Sequence, residues 1–157
     1  MNLAPIVLFV YNRTDHLSIL IKSLKKNKLF KESKLFIFSD GPKDENDKIS
    51  IQNIRLFIQK ELDLFQYELV SRSKNYGLSK NIINGLNEVF NKYEKAIILE
   101  DDLELSPFFL SYMNDALNTY ENDNNVASIS GYIYPIDKLN FSLIDCFIVN
   151  RVILKRL

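Results

Sequence analysis

Apolar positions along the chain switch repeatedly between continuous runs and helical spacing. Pro5 to Tyr11 is an unbroken apolar run, which predicts a strand covered on both faces. Leu17, Leu20, Ile21 and Leu24 then recur at helical spacing, with Lys22, Lys25 and Lys26 on the opposite side. Leu35 to Ser39 predicts a second short strand, ended by Asp40-Gly41-Pro42. Ile51, Ile54, Ile58 and Leu62 mark a second helix, and the alternation of Phe65, Tyr67 and Leu69 a third, more exposed strand. After a turn at Asn75-Tyr76-Gly77, the stripe Ile82, Leu86, Val89, Phe90 and Tyr93 predicts a third helix. Ala96 to Leu99 predicts a fourth strand. Ser106 is placed to cap a fourth helix, with Pro107 at its first position. Phe109, Tyr112, Met113, Ala116 and Tyr120 form its expected inner face. Val126 to Ser130 predicts a fifth strand, closed by Gly131.

This alternation implies an α/β fold with a mostly parallel sheet and helices on both faces. No repeat, low-complexity segment or linker divides the chain, so residues 1–157 are read as a single domain.

Composition narrows the function classes. Hydrophobic residues make up 46% and charged residues 25%, as in a globular domain with a full core. Twenty basic residues balance twenty acidic ones, which argues against a general nucleic-acid binder. Cys146 is the only cysteine, so an internal disulfide and a thiolate zinc site are excluded. A small buried hydrophobe is the reading for Cys146, in a reducing, cytoplasmic setting. His16 is the only histidine, which excludes a histidine-rich metal site. The run Ile6 to Tyr11 lacks the length and basic flank of a signal peptide, and no run reaches bilayer length. The tail Phe147 to Leu157 mixes apolar residues with Arg151, Lys155 and Arg156. It reads as a terminal helix or strand, with peripheral membrane contact as the alternative.

In open α/β sheets, ligands bind beyond the carboxyl ends of the strands. Three polar clusters fall there: Tyr11-Asn12-Arg13 after strand one, Ser39-Asp40-Gly41 after strand two, and Glu100-Asp101-Asp102 after strand four. Three adjacent carboxylates repel one another and favour a hard divalent cation, Mn²⁺ or Mg²⁺. Such ions take one or two carboxylates and complete their shell with phosphate oxygens and water. Acidic residues before a helix also complement its dipole, so spacing alone leaves both readings open. Asp40 before Gly41 is equally a turn former or a buried acceptor. Lys80, at the start of the third helix, reads as part of a turn and helix cap, with a phosphate contact as the alternative. Neither a phosphate-binding P-loop nor a G-x-G-x-x-G fingerprint is present. A nucleotidyltransferase is disfavoured, because Asn12-Arg13-Thr14-Asp15 lacks the glycine-rich loop of those enzymes.

The segments Pro5–Arg13, Phe38–Gly41, Asn75–Asn81 and Ile98–Glu104 occur in that order, followed by Ile129-Ser130-Gly131-Tyr132. Together they resemble nucleotide-sugar glycosyltransferases of the GT-A fold, a Rossmann-like α/β domain. The likeness is to the bacterial family 2 type and to the N-acetylglucosaminyltransferase type that carries Glu-Asp-Asp-Leu. The resemblance implies that Tyr11, Asn12 and Arg13 border the nucleotide base and that Asp40 binds it, as uracil. It places Lys80 near the nucleotide, Glu100 and Asp101 at ribose and sugar, and Asp102 as the metal ligand. It implies metal-dependent, inverting transfer from a UDP-sugar to a glycan or lipid-linked acceptor. In such enzymes the acceptor site and catalytic base follow the metal motif, in a region rich in tryptophan. This chain has no tryptophan, and Asp115, Asp123, Asp137 and Asp145 match no base motif. The expectation is therefore a donor-binding domain with the acceptor part missing or truncated and the base unassigned. The alternative is a catalytically incomplete nucleotide-sugar-binding or scaffold protein.

Overall fold

The computed structural model describes residues 3–131 and the strand at 153–155. Cys146, Asp137, Asp145, Tyr132 and most of the Phe147–Leu157 tail lie outside the described residues. The described elements are β1 (Ile6–Val10), α1 (Thr14–Lys25), β2 (Leu35–Ser39), α2 (Glu45–Glu61), β3 (Tyr67–Ser71), α3 (Leu78–Phe90), β4 (Lys95–Glu100), α4 (Phe109–Thr119), β5 (Ser128–Ile129) and β6 (Ile153–Lys155). They form one sheet in the order β3-β2-β1-β4-β6-β5. The first four of these strands are parallel, whereas β6 runs antiparallel to both β4 and β5.

The apolar runs of β1 and β2 are buried on both faces, as a central parallel strand requires. On one face Ile6, Leu8 and Val10 pack with the buried stripes of α1, α2 and α4. On the other, Val7, Phe9, Phe36, Phe38 and Ile98 pack under Leu86 and Val89 of α3. Each fully buried aliphatic side chain contributes about 1.5–3 kcal/mol, so these two layers hold the sheet together. Strand order reverses at β1: the chain moves outward through β2 and β3, then returns across α3 to place β4 on the other side of β1. A crevice between the carboxyl ends of β1 and β4 follows from that reversal.

The structure differs from the sequence expectation in several places. Helix α2 starts at Glu45 rather than near Ile51, because Asp44 caps it by accepting from the backbone N–H groups of Asn46 (2.9 Å) and Asp47 (3.3 Å). Ser106 is not the N-cap of α4, which begins at Phe109. Its Leu110 N–H is taken instead by the buried Asn27 Oδ1 at 2.9 Å, and Asn27 Nδ2 donates to the Ser106 carbonyl. The α4 stripe is Phe109, Leu110, Met113 and Leu117, leaving Tyr112 and Tyr120 largely exposed. Strand β5 shortens to two residues. Among the described residues no helix is long and apolar enough to cross a membrane.

Candidate functional site

The β1–α1 loop, Tyr11 to Arg13, reaches from the end of β1 to the end of β4. Helix α1 has no side-chain cap, and Arg13 stands at its N-cap position. Its guanidinium instead reaches across to the end of β4. There Arg13 Nη2 donates to Asp101 Oδ1 in a very short ion pair, and Nη1 lies 3.4 Å from Asp102 Oδ2. The Tyr11 N–H points at the second Asp101 oxygen at 3.4 Å.

The two carboxylates differ in environment. Asp101 is 4% exposed at its side chain, while Asp102 is 44% exposed. Burial pushes the Asp101 carboxyl up from its ordinary range, against the pull of Arg13 and the Tyr11 N–H. Burial works against the Arg13 charge, but the two carboxylates outweigh it and raise its pKa. Glu100, in register with Phe9, is half-buried at the strand end.

Asp40, 4% exposed, is committed to the backbone. Its Oδ1 accepts from the N–H groups of Gly41 and Tyr76, both at 2.9 Å, and its Oδ2 from Gly77 N–H at 3.0 Å. The carboxylate thus draws the N-terminus of α3 to the end of β2. Gly77 makes this turn with φ of 76°, a region that penalises a side chain. At Gly41 the Lys74 backbone approaches so closely that a Cβ would lie 2.4 Å from it. Arg55 of α2 completes this corner. It donates to Ser39 Oγ (3.0 Å), the Asp40 carbonyl (3.1 Å) and the Arg72 carbonyl (2.9 Å), while burial lowers its pKa.

On the far side of the loop, Tyr11 OH donates to Asp47 Oδ2 in a very short bond, and Asn12 Nδ2 to Asp47 Oδ1 at 3.1 Å. Burial and the Asp47 carboxylate push the Tyr11 phenol up to about 12. The same hydrogen bond pulls Asp47 below its ordinary value.

The structure therefore joins Tyr11, Asn12, Arg13, Asp101 and Asp102 in one network. Asp40 sits beside the network, holding α3. Lys80 lies on the exposed first turn of that helix, outside the network. Asp47 and Arg55 were not expected from the sequence. The signal for Asp47 was the pair Asp44 and Asp47 at capping spacing ahead of the apolar stripe of α2.

The arrangement suits a hard divalent cation. Asp102 offers solvent-open carboxylate oxygens, and its 3.4 Å contact with Arg13 is long for a charge-assisted bond. Among the described residues no group of three or more His, Cys, Asp or Glu side chains converges on a metal-sized space. Sites for such ions need only one or two carboxylates when phosphate and water complete the shell.

The model of the GNT-I family matches residues 1–135. The chain belongs to the GNT-I family. A curated relative, the alpha-1,3-mannosyl-glycoprotein 2-beta-N-acetylglucosaminyltransferase of Arabidopsis thaliana, is 27% identical over 140 residues. That alignment covers 84% of this chain and 31% of the relative, so the chain spans about a third of the relative's length. Among solved structures, residues 1–349 of S. aureus TarS align with a TM-score of 0.60 at 15% identity, over 76% of this chain and 33% of that one. The mannosyltransferase PcManGT from Pyrobaculum calidifontis, in complex with GDP-Man and Mn²⁺, aligns with a TM-score of 0.53 at 12% identity. It covers 82% of this chain and 37% of that chain. At these identities the likeness shows the fold, which is GT-A.

Proposed function

We propose that this GNT-I family chain binds the diphosphate donor of a metal-dependent glycosyl transfer, with a UDP-sugar as donor and a glycan or lipid-linked hydroxyl as acceptor. The observation that carries the reading is the Arg13–Asp101–Asp102 network, built across the reversal of strand order at the carboxyl ends of β1 and β4. A buried carboxylate anchored by arginine beside an exposed one separates a positioning role from a ligating role. Asp102 is the metal ligand in this reading, and Mn²⁺ or Mg²⁺ bound there would stabilise the departing diphosphate as a Lewis acid.

The remaining roles belong to the chain's own groups. Asp101 fixes Arg13 and the Tyr11 backbone. Arg13 is placed to exchange its long contact with Asp102 for a donor phosphate, a match of guanidinium and oxyanion geometry. Tyr11 and Asn12 border the base. Asp40, the base-binding acid of this reading, shapes the base-facing corner through the Gly41, Tyr76 and Gly77 N–H groups it holds. Glu100 faces ribose and sugar, and Lys80 adds positive charge at the start of α3. Inversion at the anomeric carbon is the expected stereochemical outcome. A base on the acceptor is required, and no described carboxylate is assigned to it. A cytoplasmic setting is part of this reading on the strength of the single cysteine, with peripheral membrane contact as the alternative.

Transfer and hydrolysis assays with a panel of nucleotide sugars and Mn²⁺ test the proposal. Turnover of a UDP-sugar that chelation abolishes is the expected result. Donor binding without turnover would reduce the chain to a binding or scaffold role. Absence of both would overturn the proposal.

A further inference from the structure

The Tyr11–Arg13 loop is held from two sides by two carboxylates of different origin. Asp101 lies on the β4 side and belongs to the acidic cluster already described. Asp47 lies in the first turn of α2 and belongs to no motif quoted above. Its two oxygens receive three donors: Tyr11 OH and the Lys43 N–H (3.3 Å) on Oδ2, and Asn12 Nδ2 on Oδ1 (3.1 Å).

These bonds are not demanded by α2 itself. The helix is capped by Asp44, whose side chain takes the N–H groups of Asn46 and Asp47. The Asp47 side chain is therefore free to turn away from its own helix, and it spends every bond on the β1–α1 loop and the loop before α2. The loop needs this anchor because α1 lacks a side-chain cap. Nothing within residues 11–13 fixes their side chains locally. Loss of Asp47 would leave the Tyr11 phenol and the Asn12 amide without their partners, and only the β4 side of the loop would stay fixed.

We infer that Asp47 is a positioning residue for donor binding: through Tyr11 and Asn12 it sets the loop that presents Arg13 to the diphosphate. The inference rests on the donor-site reading above. Asp47 touches no donor atom itself. Its action is pre-organisation, lowering the ordering cost that the ligand would otherwise bear.

The test compares wild type, Asp47→Ala, Asp47→Asn, Tyr11→Phe and the double variant Asp47→Ala/Tyr11→Phe. Hydrogen exchange is measured without ligand, and UDP affinity is measured by calorimetry with Mn²⁺ present. Asp47→Ala is expected to accelerate amide exchange at residues 11–13 while β1, β2 and β4 keep their protection. UDP affinity is expected to fall about tenfold, as for loss of a charge-assisted hydrogen bond. Asp47→Asn keeps one acceptor oxygen and is expected to fall between wild type and Asp47→Ala. The double variant is expected to lose less than the sum of the single losses, because both changes remove the same Tyr11–Asp47 bond. A general loss of exchange protection would mark Asp47 as a fold residue and overturn the inference. So would unchanged UDP affinity in Asp47→Ala beside a binding wild type, which leaves the donor-site reading standing. If wild type binds no UDP, the donor-site reading fails and the inference fails with it.

Discussion

Tyr11 carries two loads at once: its N–H faces Asp101 and its hydroxyl is bound to Asp47. Its phenol is pushed from 10.0 to about 12, first by burial and then by the Asp47 bond. The sign follows from linkage. A raised pKa means that the fold favours the protonated phenol. That stabilisation is complete below pH 10 and is lost as pH rises toward about 12. Spectrophotometric titration should show a late-ionising phenol that Tyr11→Phe removes. Asp47→Ala should shift it to lower pH. Arg13, Asp101 and Asp102 were legible in the sequence because their types and their positions after predicted strands both pointed to anion and cation chemistry. What the sequence did not carry was their division of labour. A buried Asp101 paired with arginine beside an exposed Asp102 is a difference in burial, and adjacent identical residues give no hint of it. Asp47 was hidden for a related reason. Its partners lie 35 and 36 positions away, and only the packing of α2 beside the β1 loop brings them together.

At the scale of elements, continuous apolar runs located β1, β2 and β4, and the stripes of α1 and α2 are buried as their spacing demands, while that of α3 is buried at Leu86 and Val89 and half-buried at Ile82, Phe90 and Tyr93. Element ends were less legible, because tertiary partners decide them. Helix α4 shows this most clearly. Ser106-Pro107 has the composition of a helix start, yet Asn27, at the end of α1, supplies the cap from 83 positions away. Asn27 also donates to the carbonyls of Ser23 and Ser106, so it ties the segment after the acidic cluster to α1. Replacing Asn27 by alanine should leave the buried Leu110 N–H and Ser106 carbonyl without this partner. We expect a loss of about 1–3 kcal/mol, measured by urea unfolding. A change within a few tenths of a kcal/mol would mean that another group takes over the cap.

At the scale of the whole molecule, the order β3-β2-β1-β4 places a crevice where the strand order reverses, and the Arg13–Asp101–Asp102 network joins its two sides. The GT-A fold could be read from the order of the motifs. The tail was read as a terminal helix or strand, and the antiparallel pairing of β6 could not be read, because a three-residue strand carries too little pattern. Fold alone does not supply function, since one sheet hosts many chemistries. The functional claim therefore stands on Asp102 and its neighbours rather than on the sheet. Calorimetric titration of UDP in the presence and absence of Mn²⁺, with wild type and Asp102→Ala, tests it most directly. We expect UDP to bind wild type only weakly without Mn²⁺ and at least tenfold more tightly with it, a gain of about 1.4 kcal/mol or more. Asp102→Ala should lose that gain while keeping its thermal stability. Equal UDP binding with and without Mn²⁺, or an Asp102→Ala variant that responds to Mn²⁺ as wild type does, would contradict the assignment of the metal and diphosphate site.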